Sequence, residues 1–301
     1  LARLANGVSK LHGEVSREMW SQHDDICPIT HVTNSQNHAW WHDSKLDEAA
    51  ITDNDAALAK RKREMKKHLF EIVADQTGKI FDPNVLTIVW ARRYAGYKRA
   101  DLITKQLQDF ERLIKNENYP VQIIWSGKPY PMDYEAIGTF NRLVGLSKHY
   151  PNVATVVGYE LALSKALKQG SDIWLNNPRV PREASGTSGM TAAMNGSVNL
   201  STLDGWIPEF AKDGHNSFTV PLADFDSHEA QQDEFDRLNL MNKLENEILP
   251  MYYEQPEQWL RIVKNGMMEV TPFFDSDRMA DEYYQKLYGV GVLERSEVSE
   301  I

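Results

Sequence analysis

The stretch from residue 85 to residue 177 constrains the fold most, because short apolar runs alternate there with amphipathic segments. VLTIVWA (85–91), VQIIWSGK (121–128), NVATVVG (152–158) and DIWLNN (172–177) are short and largely apolar, so each is a predicted strand buried on both faces. Between them, KRADLITKQLQDFERLIKN (98–116), MDYEAIGTFNRLVGLSKH (132–149) and ELALSKALKQG (160–170) have helical periodicity. In the first of these, Ile103, Leu107, Phe110 and Ile114 fall on one side, and Gly170 stops the last. Buried strands joined by helical crossovers make a parallel sheet. The predicted class is therefore α/β, a doubly wound, Rossmann-like parallel sheet. Segments 227–249, 257–270 and 277–288 read as extra covering helices punctuated by Pro250 and Pro256.

Upstream of the rhythm, residues 1–20 place Leu4, Val8, Leu11 and Val15 at helical spacing, interrupted by Asn6-Gly7. PITHVTNSQNHAWWHD (28–43) is irregular and rich in His and Trp. His38 and His42 are one helical turn apart with His31 near, which suggests a metal site. No carboxylate or cysteine in the segment completes it, so no metal is assigned, and aromatic-rich loops also pack or line sugar sites. Residues 46–75 form a long charged helix, with KRKREMKKH read as a solvated face.

Composition narrows the function. A net charge of −10 and a pI near 5.4 disfavour nucleic acid or an anionic membrane as the main partner. The single cysteine, Cys27, leaves no internal disulfide framework and fits a reducing, cytoplasmic setting. No apolar run has the length of a membrane span, and the segment from Leu1 lacks the pattern of a signal peptide. The uncapped helical start reads as the later part of a longer protein.

Each chemically suggestive loop follows a predicted strand: ARRYAGYKR, SGKPYP, GYE and NNPRVPREASGTSG. Ligands of open α/β sheets bind beyond the carboxyl ends of the strands, so these loops imply one composite site. Within Pro181–Gly205, Gly186 and Gly189 let backbone N–H groups approach an anion, and MTAAMNG reads as a short helix behind it. Glu183 stands just upstream. A carboxylate beside an anion cradle points to a ligand with both phosphate and hydroxyls, against the plainer alternative of a Gly/Ser-rich connecting loop. Arg92, Arg93, Lys98 and Arg99 share one strand-to-helix turn. Cations at a helix start oppose the macrodipole unless an anion sits between them, which favours a phosphate site over a merely basic surface turn. Lys128 is a weaker candidate of the same kind. Asp204-Gly205 fits a catalytic acid or a strand-ending turn, with the turn favoured.

With these residues in place, the sequence resembles the α-glucan phosphorylases, retaining glycosyltransferases of the GT-B type that include glycogen, starch and maltodextrin phosphorylases. The resemblance rests on EASGTSGMTAAMNGSVNLSTLDG (183–205), ARRYAGYKR (91–99), NGVSKLHGE (6–14) and HVTN (31–34), in the family's order, and is nearest to the short bacterial and archaeal branch. It implies the C-terminal catalytic half of such an enzyme, with residues 1–75 a remnant of the N-terminal domain and its junction helices. Residues 76–301 are then the Rossmann-like cofactor-binding domain. It implies α-glucan and phosphate as substrates, glucose 1-phosphate as product, a missing N-terminal domain of the same chain as partner, and a homodimer. Arg93 and Lys98 match the phosphate-contacting pair, with Arg92 at a neighbouring basic position. Glu183, Ser185 and Gly186 match positions that hold glucose hydroxyls; Gly186 and Thr187 match contacts to phosphate; Tyr159 matches a tyrosine near the cofactor. That cofactor is pyridoxal 5′-phosphate, held by a lysine in the pattern GTSGMKAAMNG. Here the lysine position is Thr191, which has no amine for a Schiff base. Three readings stay open: a phosphorylase, a cofactor-free glycosyltransferase using a nucleotide sugar, and a non-catalytic glucan-binding homologue.

Overall fold

The computed structural model describes residues 2–224 and 227–289. Two short strands, β1 (Ala5–Gly7) and β2 (Ile29–His31), pair in parallel. Six more build the main sheet: β3 (Leu86–Ala91), β4 (Val121–Ser126), β5 (Val153–Val156), β6 (Ile173–Asn176), β7 (Val198–Ser201) and β8 (Phe218–Thr219). All are parallel, in the order β5-β4-β3-β6-β7-β8. The chain winds outward from β3 to β5, crosses back, and winds outward again from β6 to β8. The reversal therefore lies between β3 and β6, the place where open α/β sheets bind ligands.

Strand alternation sets the layers. Leu86, Ile88 and Trp90 of β3 join one core cluster, and Val89 and Ala91 join another on the opposite face. The N-terminal helices are α1 (Lys10–Met19), α2 (His38–Trp41), α3 (Ser44–Ile51) and α4 (Asp55–Thr77). Leu69, Phe70 and Val73 of α4 pack beside Val89, Ala91, Ile124 and Trp174 of the sheet. After β3 come α5 (Leu107–Ile114), α6 (Tyr134–Ser147) and α7 (Leu161–Gly170), then α8 (Ser188–Ala193) and α9 (Ile207–Phe210). Leu163 and Leu167 of α7 share the α4 side of the sheet. The covering helices are α10 (Glu229–Lys243), α11 (Leu249–Glu254), α12 (Pro256–Phe274) and α13 (Ser276–Tyr283).

Five local expectations are corrected. Residues 1–20 are not one helix: Asn6-Gly7 lies in β1, and Ser9 caps α1 by accepting the His12 N–H at 3.1 Å. A Cβ on Gly7 would fall 2.3 Å from Gly13 N, so the strand lies directly against the helix. The segment 46–75 divides at Asp53, which takes φ +54, after which the Asn54 side chain caps α4 by accepting Ala57 N–H at 3.0 Å. The helix expected from residue 98 starts only at Leu107, because residues 96–104 form two single turns.

The fourth correction concerns KRKREMKKH, which is not simply a solvated face. Lys62 and Lys66 lie one turn apart on the inner side of α4 and are buried. Lys62 Nζ donates to the carbonyls of Gln169, Ser171 and Asn195 at 2.8, 2.9 and 3.0 Å. Lys66 Nζ donates to Val85 O at 2.7 Å and to the Asp172 carboxylate. Both ammoniums satisfy carbonyls that the ends of strands and helices leave unpaired. The helix expected at 227–249 also continues: Leu244–Ile248 is a wide turn, and Pro250 sits in the first turn of α11, where a missing N–H costs little.

Candidate active site

The loop after β3 is tied down from beneath. Arg92 is buried; its Nη1 donates to Asn176 Oδ1 and its Nη2 to Leu175 O at 3.1 Å. These bonds join the end of β3 to the end of β6 across the reversal. Burial lowers the Arg92 pKa, against the raising effect of the Glu183 charge, and Arg92 Nε has no partner among the described residues. On the other side, Gly127 after β4 takes φ +139, and a Cβ there would fall 1.8 Å from Arg92 O. Only glycine lets these two loops touch back to back.

The four basic residues of the turn divide by role. Arg99 takes φ +49, bonds the carbonyls of Asn177 and Pro178 at 3.0 and 2.9 Å, and pairs with Asp233 and Asp236 of α10 at 3.0 and 2.7 Å. It clamps the loop after β6 to the covering layer. Arg93 is exposed and has no ion-pair partner among the described residues. Lys98 reaches across the reversal and pairs with Glu183, both side chains being about nine-tenths buried at 11% and 9% exposure. The basic turn and the Gly-rich loop thus meet through these two side chains. Lys128 is exposed.

The Gly-rich loop is shaped by Asp204. Its Oδ2 accepts the Glu183 N–H and its Oδ1 the Gly205 N–H, each at 2.8 Å. Gly205 takes φ +60, and a Cβ there would fall 2.3 Å from Ser185 O, which accepts the Trp206 N–H at 3.0 Å. Asp204 therefore makes the turn that presents Glu183. Burial pushes its pKa up to about 6 despite the two N–H donors. The folded value lies above the unfolded one, near 3.8, so stability rises as pH falls through 6 and levels off below the unfolded value. Relative to Asp204→Asn, the wild type is expected to gain about 2 kcal/mol between pH 7.5 and pH 4 in urea unfolding. A pH-independent difference would count against a strained carboxylate.

Beyond Glu183, Ser185 is buried with its Oγ unpaired among the described residues, Gly186 takes φ +83, and Thr187 precedes α8. The helix opens at Ser188, two residues before Met190, where the sequence placed its start. Thr191 is fully buried and its hydroxyl donates to Ser188 O at 3.0 Å. Gly189 packs so closely that a Cβ would fall 2.6 Å from Asn199 Oδ1. Tyr159, from the loop after β5, donates its hydroxyl to Ala91 O at 3.2 Å and so reaches the end of β3. The N-terminal segment closes one side. Ser9 Oγ donates to Ala184 O at 2.7 Å, and Thr33 Oγ1 to Glu209 Oε2 at 2.7 Å.

Two neighbouring features differ from this site. A polar cavity of about 440 Å³ lies beside the same turn, lined by Tyr97, Arg142, Arg179 and Asp233. Its cations are engaged, Arg142 with Asp101 at 3.3 Å and Arg179 with Glu229 and Asp233 at 2.7 and 2.8 Å. In the N-terminal segment, Asp47 of α3 supplies the carboxylate that the histidine pair lacked. His38 Nε2 lies 3.0 Å from Asp47 Oδ2, His42 Nδ1 contacts His38 O at 2.6 Å, and ligand atoms of His38, His42 and Asp47 lie within 4.8 Å of one another. These atoms are close enough to share one ion; His31 lies in β2 and is not in the group.

The sequence did not single out Asp47, Ser9 or Lys168 of α7. A residue partner outside the 28–43 segment hid the first. Ser9 carried a helix-cap signal. Lys168, 4% exposed with its Nζ 3.7 Å from the centre of the Trp41 ring, lies one turn after Ser164 on a face that also carries Leu163 and Leu167, which marks it as inward-pointing.

The chain is similar to known proteins over most of its length. The family described as Carbohydrate phosphorylase matches residues 29–246. An uncharacterized protein of Methanocaldococcus jannaschii is 44% identical over 96% of the chain and 54% of its own length. The glycogen phosphorylase of Aquifex aeolicus is 34% identical over 96% of the chain and 48% of its own length. The maltodextrin phosphorylase of Thermococcus litoralis is 32% identical over 94% of the chain and 39% of its own length. The chain thus spans about half the length, or less, of these relatives. Family match and identity over nearly the whole chain agree, and the chain belongs to the carbohydrate phosphorylase family.

Proposed function

We propose that this chain carries the sugar-phosphate site of an α-1,4-glucan phosphorylase, which moves glucosyl units between glucan and phosphate with retained configuration and yields glucose 1-phosphate. The observation that carries this reading is the contact of Lys98 with Glu183 across the strand reversal. It supports the reading because an ammonium suited to a phosphate and a carboxylate suited to sugar hydroxyls share one partly enclosed place. Arg93 and Lys98 hold the substrate phosphate, and Arg92 fixes the strand ends beneath them. Glu183, Ser185 and Gly186 hold glucose hydroxyls, Ser185 through an Oγ with no partner among the described residues. Gly186 and Thr187 offer a backbone N–H and a hydroxyl to a phosphate. When the anion arrives, Lys98 exchanges the carboxylate for it, and Glu183 becomes available to the sugar. Each charge keeps a partner throughout, which matters in a site screened from water. Residues 1–75 form the junction side, through Ser9 and Thr33.

Pyridoxal phosphate, implied by the family resemblance, does not fit with a covalent anchor at residue 191. Threonine has no amine, and its hydroxyl is already given to Ser188 O. No step proposed here runs through the cofactor. Thr191 is also the observation that favours the second reading, transfer from a nucleotide sugar whose diphosphate occupies the anion site.

Full-length protein given glucose 1-phosphate and a maltodextrin primer is expected to release inorganic phosphate. Glucosyl transfer from a nucleotide sugar, without that release, would establish the second reading. Glucan binding with neither reaction would make the protein a non-catalytic homologue.

A further inference from the structure

The N-terminal segment holds a cluster of ligating side chains for which the glucan site has no use. His38 opens α2, His42 follows its last residue, and Asp47 of α3 faces them. His38 Nε2 lies 3.0 Å from Asp47 Oδ2, and ligand atoms of all three residues lie within 4.8 Å of one another. The His38 and Asp47 side chains are each 22% exposed, so the place is sheltered yet open to a small solute.

Three details fit an ion better than an ordinary ion pair. First, the His42 ring is already set as a ligand. Its Nδ1 lies 2.6 Å from the His38 carbonyl, an oxygen that can only accept, so Nδ1 carries the hydrogen and Nε2 the lone pair. Metal-binding histidines are oriented in this way, through the ring nitrogen that does not ligate. Second, Asp47 has no lysine or arginine partner among the described residues, whereas its neighbour Asp43 is taken by Arg61 at 2.7 Å. Third, the two imidazole rings stack with 4.3 Å between centres, which keeps both on the side of α2 where Asp47 stands.

We propose that His38, His42 and Asp47 bind a zinc-class divalent ion, with water in the fourth position. Two imidazoles and one carboxylate suit Zn²⁺, whereas Mg²⁺ and Ca²⁺ take oxygen donors. Tetrahedral zinc sets its donor atoms about 3.3 Å apart, so the His38–Asp47 pair hardly moves. The stacked rings are within 6° of parallel, so one must turn about its Cβ–Cγ bond to aim at a shared ion. His38 is free to turn, because its ring is bonded only to Asp47 among the described residues. The proton between that ring and the carboxylate leaves to solvent.

The ion would act on position. A helix as short as α2 does not hold itself. Its Trp41 packs with Met190, Ala193 and Met194 in and beside α8, and the Asn195 side chain joins Trp41 O, at 3.0 Å, to Thr191 O, at 2.8 Å. Tying α2 to α3 therefore fixes the aromatic wall against which α8 and its Gly-rich loop are set. Nothing in this site depends on the reaction proposed above.

Full-length protein stripped with a chelator is titrated with Co²⁺, a spectroscopic stand-in for zinc, and then with Zn²⁺. The expected result is one equivalent of Co²⁺ per chain with the visible absorption of a four-coordinate ion, displacement of that band by Zn²⁺, and a rise in Tm with either ion. His42→Gln and Asp47→Asn lose both the band and the rise in Tm, and His31→Gln keeps them. Wild-type protein that binds neither ion stoichiometrically would overturn the proposal, and that outcome needs no variant to fold. A full equivalent that survives both His42→Gln and Asp47→Asn would overturn it as well.

Discussion

Lys98→Ala is expected to lower kcat/KM for phosphorolysis by about 100- to 1,000-fold in the full-length protein, the range seen when one preorganised donor to transition-state charge is removed. Two losses combine. On the proposed reading the substrate phosphate forfeits its buried cation, and Glu183, nearly as buried as Lys98, is left without its partner. Lys98→Arg restores charge but not the compact point contact that a single Nζ makes with Glu183, so partial rescue is expected. Steady-state kinetics with phosphate as the varied substrate check this. A fall below about 5-fold, equivalent to roughly 1 kcal/mol, would remove Lys98 from the phosphate site.

Asp172→Ala is expected to have the largest effect on stability. The carboxylate accepts the Lys66 ammonium and the Thr87 N–H, the latter at 2.8 Å, and both donors are buried. Removing it leaves a buried cation with Val85 O as its remaining close acceptor and a strand N–H unpaired. Breaking a buried pair from one side costs about 3–5 kcal/mol. For a chain of this size that lowers Tm by about 5–8 °C. The double variant Lys66→Met with Asp172→Ala should recover part of the loss, because no charge is then stranded. Calorimetry showing Asp172→Ala within 1 kcal/mol of the wild type would mean that the pair does not hold α4 to the sheet.

The alternation of apolar runs and amphipathic segments made the parallel sheet legible, because β3, β4, β5 and β6 are buried on both faces and could only be what they are. The loops that follow them were legible for the same reason. The partners of charged side chains were not. Lys98 and Glu183 stand 85 residues apart in sequence, and only the adjacency of β3 and β6 brings them together. Arg92 and Lys98 share a turn, yet one anchors strand ends while the other faces the crevice. KRKREMKKH looked solvated because periodicity locates an inner face only when that face is apolar, and here two of its members are lysines with distant acceptors. Lys168 was hidden in the same way. Thr191, by contrast, was visible at once, because motif position alone exposed it; the structure adds that its hydroxyl is spoken for.

Phosphorus NMR of the full-length protein with maltodextrin, inorganic phosphate and pyridoxal phosphate tests the central claim most directly. The account predicts that the inorganic phosphate signal falls as an α-glucose 1-phosphate signal grows, and that Lys98→Ala suppresses this exchange. An unchanged phosphate signal from folded, glucan-binding protein, with chain growth from a nucleotide sugar instead, would contradict it.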